Sequence, residues 1–222
     1  MTRTGKALTF LVQVALADAE GLVPATSKLR GHLAFFVDPE ASFGHASDFD
    51  RFRVLHVTGD DLARPSSPVP ERPSMAVRVE RALTVPTACV LEELEIPVDG
   101  DYRAAREALG VGGHRFLGNG DFIQDMPLRS FAGAVRVWPD RPGLNPFTLE
   151  KIVIRGRTLD GVPASVIELL RTPATWLPLL QLDTDPAVDM QWGDMGRLWF
   201  LVRDDDWLEQ RFDRVWVRSD CY

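Results

Sequence analysis

The sequence predicts an α+β fold, predominantly antiparallel β with a few short helices. Three observations carry this. Short runs with period-two or continuous apolar character recur along the chain, helical patterns are few and brief, and β-rich elements of one kind appear at both ends in the same order. A chain of 222 residues is long enough to bury a core without disulfide or metal staples, and it is read as a single domain over residues 1–222.

The elements follow in order. Leu8 to Val14, Gly31 to Val37 and Phe52 to Val57 read as strands. Pro65, Pro68, Pro70 and Pro73 forbid a helix or a central strand, so that stretch reads as a linker or an extended edge. Ser74 to Val85 alternates, with Val77 and Val79 against Arg78 and Glu80, and is predicted to be a strand. Asp101 is placed to cap a helix over Tyr102 to Leu109, which Gly110 would end in the left-handed conformation. Gly110 to Asp121 holds five glycines and is predicted to be a loop. Strands are expected at Gly133 to Trp138 and Phe147 to Ile154, and a helix at Asp160 to Arg171 with Pro163 in its first turn. The chain then closes with strands Trp176 to Asp183 and Gly196 to Arg203, a helix Asp204 to Arg211 and a strand Phe212 to Arg218.

The two ends match one another. Leu11-Val-Gln13 answers Leu179-Leu-Gln181, Gly31-His-Leu-Ala-Phe-Phe-Val37 answers Gly196-Arg-Leu-Trp-Phe-Leu-Val202, and Phe49-Asp50-Arg51 answers Phe212-Asp213-Arg214. The matches keep their order and similar gaps, which predicts an internal pseudo-duplication of a β-rich unit at residues 7–57 and 176–222.

Charge and motifs exclude several classes. Asp plus Glu outnumber Lys plus Arg by 32 to 25, and a net charge of −7 repels a phosphate backbone, so nucleic acid is not an expected partner. No stretch approaches the ~20 apolar residues of a membrane span. Cys89 and Cys221 have no metal-ligand or CxxC spacing, which fits a reducing, cytoplasmic setting. Arg3 and Lys6 before the apolar run Ala7 to Ala17 mimic a secretory leader, but Gln13 interrupts the run and a similar segment recurs deep in the chain, so a buried strand is preferred.

Four carboxylates, Asp183, Asp185, Asp189 and Asp194, fall within twelve residues. They miss the EF-hand spacing at its third ligand and its glycine, so no metal is expected; Asp183 and Asp185 read as turn caps, and Asp194 as bonding the amides of its own turn. The glycine loop has no Gly-Lys-Ser/Thr and no complete G-x-G-x-x-G, so no nucleotide cofactor is expected either. Among His32, His45, His56 and His114, none forms an i,i+4 metal pair. His114 is the best placed for proton chemistry or ligand contact, because it lies in the glycine loop with Arg115, Gln124 and Asp125 near it in sequence. Trp192, flanked by Gln191, Gly193 and Asp194, is the tryptophan with the least core-like setting. The candidate binding surface is therefore His114, Arg115, Gln124 and Asp125 with Trp192 and Asp194, and no catalytic residue is assigned. A binding or interaction protein, with a protein partner or a small ligand, is favoured; the alternative is a small hydrolase or transferase using His114 with Asp125 or Asp194.

Leu179-Leu-Gln-Leu-Asp183-x-Asp185, Trp192-Gly-Asp194-x-Gly196-x-Leu198-x-Phe200, Phe212-Asp-x-Val-Trp216 and the closing Cys221-Tyr222 resemble the YwqG-like family of bacterial proteins, a domain of unknown function. Leu8-x-Phe-Leu-x-Gln13, Gly31-x-Leu-x-Phe-Phe36, and His114 with Gly118, Gln124, Asp125 and Pro127 extend the resemblance over most of the chain. Residues 130–175 match less clearly. Members of that family carry a further segment ahead of the first strand, so the resemblance implies a fold short of that piece. It further implies a cytosolic α+β protein without assigned catalytic residues, and an immunity or partner-binding role by association with toxin gene clusters.

Overall fold

The computed structural model describes residues 5–21, 29–41, 43, 46–58, 75–93, 95–110, 112–123, 165 and 176–222. Strands β1 (Thr9–Ala15), β2 (His32–Val37) and β3 (Phe52–Val57) form an antiparallel sheet in that order. Strands β4 (Arg115–Phe116), β5 (Trp176–Asp183), β6 (Arg197–Arg203) and β7 (Trp216–Asp220) form a second one, also antiparallel and in chain order. Three short α-helices, α1 (Ala88–Glu93), α2 (Gly100–Ala108) and α3 (Asp204–Leu208), and four 3-10 turns complete the described elements. The fold is α+β and mostly β. Among the described residues no helix is long and apolar enough to cross a membrane.

Alternation assigns the faces. In β2, Leu33, Phe35 and Val37 are fully buried, and in β6 so are Leu198 and Phe200. These inner faces meet, with the Phe35 ring edge-on to Phe200 at a centroid distance of 4.9 Å. The third strands reach across the same interface: Phe52 packs edge-on against Trp216 at 5.5 Å, His56 against Phe212 at 5.2 Å, and the Ser219 hydroxyl donates to the Phe43 carbonyl at 3.2 Å. Every residue of β6 is buried, which is why it reads as a nearly continuous apolar run.

The two meanders share more than strand order and direction. Gln13 pairs with Ala34 and Gln181 with Trp199, and the ladder slips by one residue at Leu11 in the first and at Leu179 in the second. Leu16 donates its amide to Gly31 at 2.9 Å, as Thr184 does to Gly196 at 3.1 Å. Both glycines are required by close approach. A Cβ on Gly31 would run into the Val57 carbonyl oxygen, and one on Gly196 into that of Asp220, each at the end of its third strand. Pro178 is tolerated in β5 because it lies beside the bulge, beyond the reach of β4.

Several expectations need correction. Residues 75–87 form no strand, because alternation without a neighbouring strand gives no ladder; Arg81 merely donates to the Glu20 carbonyl at 3.2 Å. The cap of α2 is Asp99, not Asp101: its carboxylate accepts the Tyr102 amide at 2.8 Å, and Asp101 sits in the first turn, where the helix dipole favours a negative charge. Gly110 does end that region at φ +83°. The helix after β6 stops at Leu208, since Gln210 adopts φ +57° and the Arg211 amide turns back to the Asp206 carbonyl. Phe212 opens a 3-10 turn, so β7 starts only at Trp216. Helix α1 was not anticipated. The elements expected at 133–138 and 147–154, and the proline-dense stretch, lie outside the described residues, and of the helix expected at 160–171 only Ser165 is described, in helical conformation.

Each meander also places a buried carboxylate after its second strand against the arginine of its Phe-Asp-Arg. Asp38 bonds Arg51 at 2.9 Å and Lys6 at 2.9 Å and accepts the Glu40 amide at 3.0 Å. Burial opposes its ionisation, but Lys6, the Glu40 amide and Arg51 outweigh it and hold the pKa at about 2. Asp206 meets Arg214 at 3.3 Å and Arg203 and Arg211 only at 3.8 Å; there burial wins and the carboxyl is pushed up. Because the folded pKa of Asp38 lies below that of the unfolded chain, its stabilisation is present above the ordinary carboxyl range and is lost as pH falls from about 4 toward 2. Denaturant titrations of Asp38→Asn should show a loss of about 1–3 kcal/mol at pH 7. The difference from the parent should shrink across that acid window; a constant difference would show that the ion pairs are not its source.

Candidate functional site

The outer face of β5 and β6 presents Gln181, Asp183, Arg197 and Trp199, and the chain from Gly112 to Phe122 closes over it. Gln181 is the pivot. Its side-chain oxygen accepts the Asp121 amide at 2.8 Å and the Trp199 indole N–H at 3.1 Å, and its nitrogen donates to the Gly113 carbonyl at 2.8 Å. It is only 1 % exposed, so each of these bonds replaces one that water would have made. Phe122 covers the Trp199 ring at 5.2 Å.

Charges are buried around that pivot. Asp121 pairs with Arg106 and, at 3.1 Å, with Arg197, whose Nε also donates to Asp183 at 3.2 Å. Arg197 further donates to the Asp121 carbonyl at 2.6 Å. The glycine amides join the same network: Gly112 donates to Asp121, and Gly113 to Asp183 at 2.6 Å. The amides of a glycine loop do cradle anions here, but the anions are the protein's own carboxylates. Gly112 is at φ +85°, and a Cβ there would come within 2.9 Å of Asp183 and 3.0 Å of Arg197. Glycine is the residue that lets the chain pass over the ion pair.

His114 is fixed at both ring nitrogens. Nδ1 accepts the Asp183 amide at 3.1 Å, which leaves the proton on Nε2, and Nε2 donates to Asp185 at 3.3 Å. Asp185 also accepts the Ala187 amide at 2.9 Å, and these two bonds, the amide first, lower its pKa. Asp185 caps the turn at Pro186, as expected, whereas Asp183 anchors the glycine loop through the Gly113 amide and pairs with Arg197 instead of capping that turn. Asp194 differs from expectation: its carboxylate is exposed and bonds no turn amide, and only its carbonyl is engaged, by the Tyr222 amide at 3.2 Å. Trp192 is partly buried against the core, with its amide donating to the Thr184 hydroxyl at 3.1 Å.

The structure therefore brings His114 and Arg115 together at the β4 edge, but pairs His114 with Asp185 rather than Asp194. Gln124 and Asp125 lie outside the described residues. Arg115 donates to the Asn119 carbonyl at 3.2 Å and to that of Gly110 at 3.4 Å. Sequence reasoning missed Arg106, Asp121, Gln181 and Arg197 as members of one cluster. The recurring Leu-x-Gln at 11–13 and 179–181 and the carboxylate ending the glycine loop were the available signals, and neither names its partner.

Two variants test this arrangement. Gln181→Leu leaves a buried indole N–H and a buried amide without acceptors and should cost at least about 2 kcal/mol by chemical denaturation. His114→Ala should cost about 1 kcal/mol and speed amide hydrogen exchange at Asp183, whose N–H loses its acceptor. Unchanged protection at Asp183 would remove His114 from its anchoring role.

No curated protein matches the chain. A family model does: it covers residues 1–221 and describes a domain of unknown function, DUF1963. With its two antiparallel meanders and glycine-rich cover, the chain belongs to the DUF1963 family of domains of unknown function.

Proposed function

We propose that this chain is a cytoplasmic, non-catalytic binding protein of one domain that engages a protein partner through the extended segment 75–83. The carrying observation is the state of that segment. Met75, Val77, Val79 and Leu83, spaced by an even number of residues on an extended chain, are 59, 59, 40 and 72 % exposed. The backbone from 75 to 83 makes no hydrogen bond to another described residue. An extended chain whose amides and carbonyls are unbonded among the described residues, with an apolar alternate face, can add to the sheet edge of a partner, where backbone bonds supply affinity and alternate side chains supply choice.

What favours this over a hydrolase or transferase built on His114 is that both ring nitrogens already serve as loop anchors. The likeness to the YwqG-like family supports a bacterial partner-binding or immunity role. The shared register, bulge and glycine contacts support the descent of the two meanders from a duplicated unit.

The test is affinity capture from the native host with the parent chain and with Val77→Arg/Val79→Arg, whose exposed positions tolerate the change. A stoichiometric partner held by the parent and lost by the double variant is expected. Equal recovery by both would exclude the segment as the docking strand.

A further inference from the structure

The first meander has an open edge where the second has a covered one. In the second, β4 lies along β5: Arg115 pairs with Gln181, the Leu117 amide donates to the Leu179 carbonyl at 3.0 Å, and the Gln181 side chain donates to the Gly113 carbonyl at 2.8 Å. Residues 11–13 hold the matching places in β1, with Gln13 standing where Gln181 stands in β5. Yet β1 is the outer strand of its sheet, with no strand on its far side among the described residues. The bulge at Leu11 is no bar to a neighbour, since the same bulge at Leu179 lies directly beside β4.

This edge is also unguarded. Outer strands are commonly kept from pairing with other chains by charge or proline. Strand β3 carries Arg53, β4 Arg115, and β7 Arg218 and Asp220, whereas β1 holds neither a charge nor a proline, and its Phe10 is 48 % exposed.

The same chain carries a strand that fits. Segment 75–83 passes the end of β1, where Arg81 donates to the Glu20 carbonyl at 3.2 Å, without laddering to it. Charge favours the match: residues 7–20 hold Asp18 and Glu20 and no basic residue, while 75–83 hold Arg78 and Arg81 against Glu80. One copy leaves both the edge and the strand open. Two copies related by a two-fold axis close both pairs at once.

We propose that two copies of this chain exchange these segments. Residues 75–83 of each ladder onto β1 of the other, which sets Val77 and Val79 beside the apolar side chains of β1 and lets Gln13 bond the incoming backbone. This rests on the reading of segment 75–83 as a docking strand and names its partner.

The experiment is analytical ultracentrifugation of the full chain over a concentration series, with amide hydrogen exchange followed at residues 9–15 and 75–83. The parent should dimerise with a Kd in the micromolar range, and amides in both segments should gain protection only where the dimer forms. Two variants should each remain monomeric where the parent is dimeric: Val77→Arg/Val79→Arg, at exposed positions, and Phe10→Lys/Gln13→Lys, which sets two positive charges against a positive segment. Mixing these variants should restore association, because the sound segment of one meets the sound edge of the other. Unfolded variants could not recover in this way. A dimer that withstands the segment variant but not the edge variant is a contact between two β1 strands, and it overturns the exchange. A parent that stays monomeric at every concentration overturns it too. If host capture then still depends on Val77 and Val79, the docking reading stands with a different partner; if it does not, both fall.

Discussion

The contact between Phe35 and Phe200 satisfies the constraint on which the rest of the molecule rests, namely that an apolar sheet face must be covered. A small sheet draws its stability from its hydrophobic face. Leu33, Phe35 and Val37 on one side and Leu198, Phe200 and Val202 on the other are each the wrong surface to expose, and each is the right surface for the other. Burying such side chains is worth roughly 1.5–3 kcal/mol apiece. The exchanges between third strands and the opposite connections, His56 with Phe212 and Ser219 with Phe43, then set how the sheets lie on one another.

The two outer faces differ at positions of matching register. Where the first meander carries Gln13, Ala34 and His32, the second carries Gln181, Trp199 and Arg197. The second set requires a polar cover, because a buried amide, an indole N–H and a guanidinium are costly without partners. The stretch from Gly112 to Phe122 supplies it, and glycines are what allow backbone amides to reach carboxylates at such short range. On the first sheet, Phe10 and Leu55 remain about half exposed.

How much of this was legible follows from the range of each signal. Strands β1, β2, β3, β5 and β6 were readable within a residue or so, because period and apolar content are local. The match of Gly31 with Gly196 was readable because each position needs glycine where its third strand's carbonyl comes close. Segment 75–85 misled because alternation describes a strand's face and says nothing of its neighbour. The ion cluster was not legible: the bonds that build it join residues 60 and 76 positions apart, and no spacing rule connects Arg197 to Asp121. His114 was singled out for proton chemistry because of where it sits in the sequence, but its position in the fold makes it a clasp between loop and strand.

The bond from Ser219 to Phe43 spans 176 residues and joins the start of the core to its end. During synthesis at roughly 5–20 residues per second, the first meander therefore leaves the ribosome some 10 to 30 seconds before the surface that covers it exists. Over that interval its inner face, with Leu33, Phe35 and Val37, is a temporary apolar patch. Assembly of this core is thus a late, long-range event, slow in the way that non-local β contacts are slow.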